Sequence, residues 1–220
     1  MADRERADLT GRRLYLCTAD RPDLVPFLAA CITGGVDVVQ LREKHLEARD
    51  LIERAQAAVS VCRDLGVPFI LNDRPDLALA SGADGVHVGQ DDTPPAIARR
   101  ILGGEAIIGL STHAPTEWRQ AAGEPVDYLS AGPVNPTPTK PGRPGTGLDY
   151  LQAVASTPAG APEGIPWFVT GGVTPETIPG MAAAGARRFV VVRYLTESDD
   201  PRAAARRLRR AIEATEGGDT

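Results

Sequence analysis

The sequence predicts a single α/β domain in which short strands and helices alternate eight times. Apolar runs rich in Val, Ile and Leu recur along the chain, and such runs are typical of buried parallel strands. A segment with helical spacing follows each run, and Gly, Pro or Asp residues separate the two. The 220 residues contain no interdomain linker and no low-complexity stretch. Strict alternation implies parallel strands with right-handed crossovers, and eight units favour a (β/α)8 TIM barrel with a parallel eight-stranded barrel.

The first four repeats each begin with an apolar run that ends at a polar or charged residue. Strands are expected at residues 14–18 (LYLCT), 37–42 (DVVQLR), 68–73 (PFILND) and 85–90 (GVHVGQ). Helices are expected at residues 24–32, 51–65, 75–80 and 94–102, where apolar residues recur at helical spacing or a Pro opens the first turn.

The last four repeats follow the same pattern. Strands are expected at residues 106–110 (AIIGL), 128–134 (YLSAGPV), 167–171 (WFVTG) and 188–192 (RFVVV), and helices at 116–122, 148–156, 175–184 and 201–214. The charged N-terminal segment has no apolar core of its own. We therefore predict a barrel domain at residues 13–215, with flexible tails at 1–12 and 216–220.

The composition excludes several classes of function. The net charge is -5, so the chain has no overall electrostatic attraction to nucleic acid or to an anionic membrane. It has no apolar run long enough to span a bilayer and no signal peptide, so a cytoplasmic protein is expected. Cys17, Cys31 and Cys62 lack zinc-site spacing and are expected to be buried free thiols. His87 and His113 have no partner identifiable from the sequence and are expected to be structural.

Carboxylates follow two neighbouring strands. Asp73 ends the third predicted strand, and Asp91 and Asp92 follow the fourth. Adjacent strands lie about 4.8 Å apart, so acidic residues at their ends are close enough to share a cation. Two carboxylates with substrate phosphate oxygens are a usual protein site for Mg²⁺. Asp is also a favoured helix cap, and both Asp73 and Asp92 precede a helix start that contains Pro. The segment alone leaves metal binding and capping open.

The second predicted strand ends in the polar sequence QLREK. Alternation along a strand places Gln40, Arg42 and Lys44 on one side, where an amide suits a heteroatom ring and two cations suit phosphates. A polar strand end in solvent would have the same pattern. Asn72 and Ser111 also lie at strand ends, and Ser111 could donate its hydroxyl to an anion or bond its own turn.

The segment GPVNPTPTKPG, at residues 132–142, is the most unusual in the chain. Its prolines restrict the residues before them to extended conformations, so the loop would lose little entropy on binding. Its hydroxyls, backbone N–H groups and the Lys140 ammonium suit a phosphate better than a spacer role. Lys140 and Lys44 are the only lysines. Gly172 belongs to a Gly-Gly pair after the seventh strand, where barrels commonly bind phosphate.

The motifs QLREK, NDR, GVHVGQDD, GLSTH, GPVNPTPTKPG and TGGV occur in this order at the predicted strand ends, and together they resemble thiamine phosphate synthase over residues 14–201. The resemblance implies a transferase that joins 4-amino-5-hydroxymethyl-2-methylpyrimidine diphosphate to 4-methyl-5-(2-phosphoethyl)thiazole, with thiamine phosphate and pyrophosphate as products. It implies Mg²⁺ as cofactor, bound by Asp73 and Asp92, and Arg42, Lys44 and Lys140 as catalytic cations. The substrate contacts that it implies are Gln40, Leu41, Arg42, Glu43, Lys44, Asn72, Ser111, Thr137, Pro138, Thr139, Lys140, Gly172, Val192 and Arg193.

The sequence departs from the family at two positions near the expected thiazole phosphate. Asn135 stands where an aromatic residue is usual, and Arg193 stands where Ser is common. The alternatives are a thiazole tautomerase on the same barrel, a Schiff-base aldolase that uses Lys140, and a phosphate-ligand sensor without catalysis. The pairing of Asp73 and Asp92 with a lysine argues against the tautomerase, which has no pyrophosphate to neutralise. The expected partners are phosphorylated small molecules, and a homodimer is compatible with the sequence.

Overall fold

A computed structural model of the chain describes residues 8–136, 145–156 and 165–217. The strands in these ranges are β1 (Leu14–Thr18), β2 (Val38–Leu41), β3 (Phe69–Asn72), β4 (Gly85–Val88), β5 (Ile107–Thr112), β6 (Tyr128–Ala131), β7 (Trp167–Val169) and β8 (Phe189–Val191). They close into a barrel in sequence order, and each strand is parallel to its neighbours. The predicted TIM barrel is confirmed.

Helices follow the strands around the outside of the barrel. Those described are α1 (Leu24–Thr33), α2 (Ala48–Asp64), α3 (Pro75–Ser81), α4 (Pro95–Leu102), α5 (Pro115–Ala121), α6 (Gly147–Ala155), α7 (Ile178–Ala183), α8 (Arg193–Thr196) and α9 (Pro201–Glu216). The sequence did not predict α8, because its 4 residues are too few to show a helical period. None of the helices in the described ranges is long and apolar enough to cross a membrane.

Alternate strand positions fill two separate cores. Outward-facing residues such as Leu16 and Leu71 pack under the helices in a large apolar cluster. Leu9 and inward-facing residues near the strand starts form a smaller cluster inside the barrel, and its strand residues are Tyr15, Val38, Ile70, Ile107, Tyr128 and Phe168. Leu9 falls within the predicted N-terminal tail, and the tail boundaries stay a prediction. This apolar layer closes the barrel at the amino ends of its strands.

The inward positions become polar further along the strands. Each polar residue lies two positions after an apolar, aromatic or glycine residue, as the alternation of a strand requires. The residues of this second layer that line a cavity are Cys17, Gln40, Asn72, His87, Ser111 and Ser130. The barrel interior is therefore closed at one end and polar at the carboxyl ends of the strands, where such barrels carry their active sites.

Carboxylate clamps hold the opposite end of the barrel together. Asp37, Asp84 and Asp127 each directly precede an even-numbered strand. Their side chains accept backbone N–H bonds at the starts of β1, β3 and β5, at 2.7 to 2.9 Å. Arg188 occupies the equivalent position before β8. We refer to the three aspartates as the carboxylate clamps, since each ties one strand to the next along the chain.

Candidate active site

A cavity of about 440 Å³ opens at the carboxyl ends of the strands. All eight strands or the loops after them contribute to its lining, so the closed barrel brings together residues that are distant in the sequence. The predicted site residues that line it are Gln40, Arg42, Lys44, Asn72, Asp73, Asp92, Ser111, Gly172, Val192 and Arg193. The predicted contacts Thr137, Pro138, Thr139 and Lys140 lie outside the described residues.

Leu41 and Glu43 are placed away from the cavity, although the resemblance implied contacts for both. The Leu41 side chain is buried in the cluster under the helices. The Glu43 carboxylate accepts hydrogen bonds from the backbone N–H groups of Lys44 and His45, each at 2.8 Å. Alternation explains this placement, because residues 41 and 43 face the opposite side from residues 40, 42 and 44. These two side chains therefore support the strand end.

Asp73, Asp92 and Lys44 form a compact charged cluster at the cavity mouth. The Lys44 ammonium lies 2.7 Å from Oδ2 of Asp73, and the two carboxyl groups are hydrogen-bonded to each other. Burial raises the pKa of Asp73; the Lys44 hydrogen bond opposes that rise, and contact with Asp92 adds to it. Burial also disfavours ionised Asp92, but hydrogen bonds from Asp73 and the Gly89 N–H hold the pKa of Asp92 below its usual value. When the pair takes up a proton, Asp73 is therefore the carboxyl group that binds it first.

The backbone at Asp73 supports a role in binding rather than in helix capping. Among the non-glycine residues in the described ranges, Asp73 alone has a positive φ, at 63°. The N–H of Arg74 donates to the carbonyl of Asn72 at 2.8 Å, which closes a tight turn around it. Such a conformation costs of order 1–3 kcal/mol and is concentrated at functional sites. Neither α3 nor α4 has a side-chain cap, so the capping alternative for Asp73 and Asp92 is wrong.

Two buried amides face the cavity from neighbouring strands. Nδ2 of Asn72 is buried and has no hydrogen-bond partner in the part of the chain that the structure describes. Its side chain lines the cavity, so a ligand could accept its hydrogen bonds. Gln40 already bonds Cys17 and Tyr15, but its amide retains one more donor and one more acceptor position. These amides can form hydrogen bonds with the nitrogen atoms and substituents of a heteroatom ring.

The opposite wall of the cavity is made of glycines. Gly171 and Gly172 have φ values of 99° and 74°, which side chains rarely adopt. A Cβ on Gly172 would lie 2.8 Å from Nδ2 of Asn135, so the backbone packs tightly there. Asn135 in turn donates to the carbonyl of Gly171 at 3.2 Å. Arg193, the exposed first residue of α8, adds a cation to this wall, which therefore suits a second anionic group.

Sequence reasoning missed the residues that form the cavity floor. His87, expected to be structural, lies between two polar partners, with Nδ1 2.9 Å from the Tyr128 hydroxyl and Nε2 2.8 Å from Ser111 Oγ. Tyr15 continues the chain of contacts, 2.9 Å from the Tyr128 hydroxyl. The only signal in the sequence was the alternation of side chains along each strand, which directs these positions toward the barrel interior. His113 also lines the cavity, and Nδ1 of its ring lies 3.0 Å from Glu117.

A closed parallel barrel with carboxylates and cations around a polar cavity at the carboxyl ends of its strands is the architecture of a TIM-barrel enzyme. The family model for thiamine monophosphate synthase matches residues 14–195. The chain therefore belongs to the thiamine monophosphate synthase family and is a transferase of thiamine biosynthesis.

Curated relatives and solved structures agree with this assignment. The thiamine-phosphate synthase of Mycolicibacterium smegmatis is 47% identical over 91% of this chain and 92% of its own length. That of Thermobifida fusca is 48% identical over 95% and 96%. The structure of a thiamine phosphate pyrophosphorylase from Pyrococcus furiosus has a TM-score of 0.84 at 28% identity and covers 94% of this chain and 99% of that one. The family resemblance predicted from the motifs is confirmed.

Proposed function

We propose that the protein joins 4-amino-5-hydroxymethyl-2-methylpyrimidine diphosphate to 4-methyl-5-(2-phosphoethyl)thiazole, and releases thiamine phosphate and pyrophosphate. The observation that carries this proposal is the cluster of Asp73, Asp92 and Lys44 at the rim of the cavity. It lies directly beside the buried Nδ2 of Asn72, which has no hydrogen-bond partner among the described residues. A charged site for a diphosphate and a buried donor for its ring are thereby adjacent. The names of the closely similar relatives support the same reaction.

The cavity offers separate places for the two substrates. Gln40 and Asn72, deep on one side, suit the pyrimidine ring, and Arg42, Lys44 and Ser111 suit its diphosphate. The glycine wall with Arg193, on the other side, suits the phosphate of the thiazole. The proposed contacts from Thr137, Pro138, Thr139 and Lys140 would close this arrangement from the loop after β6.

Asp73 and Asp92 are fitted to hold Mg²⁺. Their carboxyl groups are close enough to hydrogen-bond each other, so a cation between them would relieve the repulsion of two adjacent carboxylates. No group of three His, Cys, Asp or Glu side chains is placed to hold a metal within the described ranges, so phosphate oxygens of the substrate would complete the coordination. When bound, Mg²⁺ would neutralise charge on the departing pyrophosphate.

The chemistry that this chain needs to perform is mainly charge neutralisation and alignment. The C–O bond of the pyrimidine substrate breaks, pyrophosphate keeps the electron pair, and the remaining methylene cation is stabilised by the amino group of its ring. The thiazole nitrogen then forms the new C–N bond. Arg42 and Lys44 stabilise the leaving group, while the two walls of the cavity keep the rings in line. No covalent nucleophile is required.

The test is pyrophosphate release from purified protein with both substrates, with and without Mg²⁺, and in Asp92→Asn. This substitution keeps an oxygen acceptor for the Gly89 N–H but removes the charge. Asp76→Asn is the matched control, because Asp76 pairs with Arg74 on the protein surface. We expect release that requires both substrates and the metal, is lost in Asp92→Asn and is retained in Asp76→Asn.

Failure of the wild-type protein to release pyrophosphate under every condition would reject the proposal. Binding of both substrates without turnover would then favour the sensor, and proton exchange on the thiazole phosphate alone would favour the tautomerase. Trapping of the substrate on Lys140 by borohydride would favour the aldolase.

A further inference from the structure

A chain of hydrogen bonds crosses the barrel interior at the floor of the cavity. Nε2 of Gln40 donates to the Tyr15 hydroxyl at 2.9 Å, and that hydroxyl lies 2.9 Å from the hydroxyl of Tyr128. The Tyr128 hydroxyl lies 2.9 Å from Nδ1 of His87, whose Nε2 lies 2.8 Å from Ser111 Oγ. We call Gln40, Tyr15, Tyr128, His87 and Ser111 the hydroxyl relay. It joins β2, β1, β6, β4 and β5 in that order.

The packing around Tyr128 holds the relay in one geometry. Gly109 faces the ring from β5, and a Cβ at that position would overlap the Tyr128 ring atoms. The His87 ring stacks on Tyr128 with centroids 5.4 Å apart, and Phe168 contacts the same ring edge-on at 5.6 Å. Burial raises the pKa of both Tyr15 and Tyr128 well above the usual value. Both residues therefore remain neutral hydroxyls, each with one proton to donate.

The direction of the relay follows from counting these protons. The Cys17 thiol donates to Oε1 of Gln40 at 3.1 Å, which orients the amide so that its Nε2 faces Tyr15. Tyr15 accepts from Gln40, and Tyr128 is the other partner of its hydroxyl among the described residues, so Tyr15 donates its proton to Tyr128. The Tyr128 proton then goes to Nδ1 of His87. His87 therefore carries its proton on Nε2 and donates it to Ser111.

The hydroxyl relay ends at the hydroxyl of Ser111. Its oxygen accepts from His87, and the Ser130 hydroxyl lies 3.4 Å away as a second donor. Both lone pairs are then directed to protein groups, and the remaining proton is free for the cavity that Ser111 lines. We propose that the hydroxyl relay fixes Ser111 as a hydrogen-bond donor to the substrate diphosphate, which makes Tyr15, Tyr128 and His87 positioning residues. The proposal rests on the proposed function for the identity of that anion.

The first test is a double-mutant cycle on Tyr128 and Ser111. Tyr128→Phe keeps the ring on Gly109 and removes the hydroxyl that links Tyr15 to His87. We expect kcat/KM for pyrophosphate release to fall roughly threefold to tenfold in the wild-type background, and to change by less than about twofold when Ser111 is already Ala. An equal loss in both backgrounds would overturn the proposal, because Tyr128 would then not act through Ser111.

Tyr150→Phe is the matched control for loss of a buried tyrosine hydroxyl. The Tyr150 hydroxyl donates to Oγ1 of Thr112 at 2.8 Å and lies outside the relay. Its removal should leave kcat/KM within about twofold of the wild type, although it costs a comparable buried hydrogen bond. A loss of activity in this control equal to that of Tyr128→Phe would show that the effect reports stability, and would count against the relay.

The second test does not depend on activity. The chain has 3 histidines, so ¹⁵N spectra of the imidazoles can be assigned by substitution. We expect His87 to be protonated on Nε2 and unprotonated on Nδ1 in the wild type, and to lose this fixed tautomer in Tyr128→Phe. Protonation on Nδ1 alone would reverse the relay and refute the proposal, even if Tyr128→Phe does not fold.

Binding of inorganic pyrophosphate with Mg²⁺ separates this inference from the proposed function. If the wild-type protein releases no pyrophosphate, the proposed reaction fails, but the same double-mutant cycle can be measured on pyrophosphate affinity. A loss of affinity in Tyr128→Phe that disappears in the Ser111→Ala background supports the relay. Equal losses in both backgrounds refute it.

Discussion

Replacing Asn72 by Leu should make the substrate-free protein more stable and much less active. Nδ2 of Asn72 is buried without a hydrogen-bond partner in the described ranges, and a buried unpaired polar group costs about 1–3 kcal/mol. Leu has a similar size and fills the same space with apolar atoms, whose burial is favourable. Because the replacement does not fit perfectly, we expect a net gain of about 1–2 kcal/mol in the free energy of unfolding. For a chain of this size, each 1 kcal/mol raises Tm by about 2–4 °C.

The stability is measured by thermal and urea unfolding without substrate, and activity by pyrophosphate release. We expect kcat/KM of Asn72→Leu to fall roughly tenfold to a hundredfold, since the donor for the substrate ring is lost. Ser81→Ala is the matched control, because the buried Ser81 hydroxyl does have a partner, the carbonyl of Ala78 at 3.2 Å. This control should lose about 0.5–1.5 kcal/mol and keep its activity.

A loss of stability in Asn72→Leu as large as that in Ser81→Ala would contradict an unpaired Asn72 donor. That result would mean that the Asn72 amide is satisfied in the free protein, for example by an ordered water molecule. Its exposed fraction of 5% would then reflect a structural role, and the site would lack the unpaired donor on which the proposed placement of the pyrimidine ring depends.

Two further predictions concern packing and pH. Gly109→Ala should lower the free energy of unfolding by about 1–3 kcal/mol, because its Cβ would overlap the Tyr128 ring. Gly104→Ala has open space around it and should change the free energy of unfolding by less than about 0.5 kcal/mol. Urea unfolding measures both variants. Burial raises the pKa of the Cys31 and Cys62 thiols from 9.0 to about 12, so the unfolded chain loses these protons before the folded one does. Stability should therefore fall between these pH values, approaching roughly 1.4 kcal/mol per pH unit for each thiol. A double variant, Cys31→Ala with Cys62→Ala, should show a flatter dependence in urea titrations between about pH 9 and 11. The same slope in the variant would contradict this cause.

The sequence predicted the fold well because its signals are local. Every strand of the barrel is a short apolar run beside turn residues, and alternation within one strand was enough to place Gln40, Arg42 and Lys44 on the cavity side. The same alternation argues against side-chain contacts of Leu41 and Glu43 with the substrate. The resemblance implied contacts for both because they belong to the continuous motif QLREK. The alternation of side chains along the strand therefore predicted the placement of these two side chains better than their membership of the motif did.

The hydroxyl relay was beyond sequence reasoning for a geometric reason. Tyr15 and Tyr128 are 113 positions apart and meet only because the closed barrel brings their strands across the interior. The register that pairs Gly109 with both His87 and Tyr128 decides which side chains share a level in the barrel, and no local pattern encodes that register. The positive φ of Asp73 was equally hidden, since Asp occurs often in ordinary turns.

The carboxylate clamps divide the barrel into separable pieces. Each clamp lies within one pair of consecutive strands, so cutting the chain between pairs would leave every clamp inside a single fragment. Gly66 and Gly104 lie at such boundaries, and both have open space around them. New chain ends at these glycines would preserve the local pairing of strands while leaving the loops of the catalytic face uncut. The protein is thus suited to circular permutation and to reassembly from fragments, with activity as the readout of correct closure.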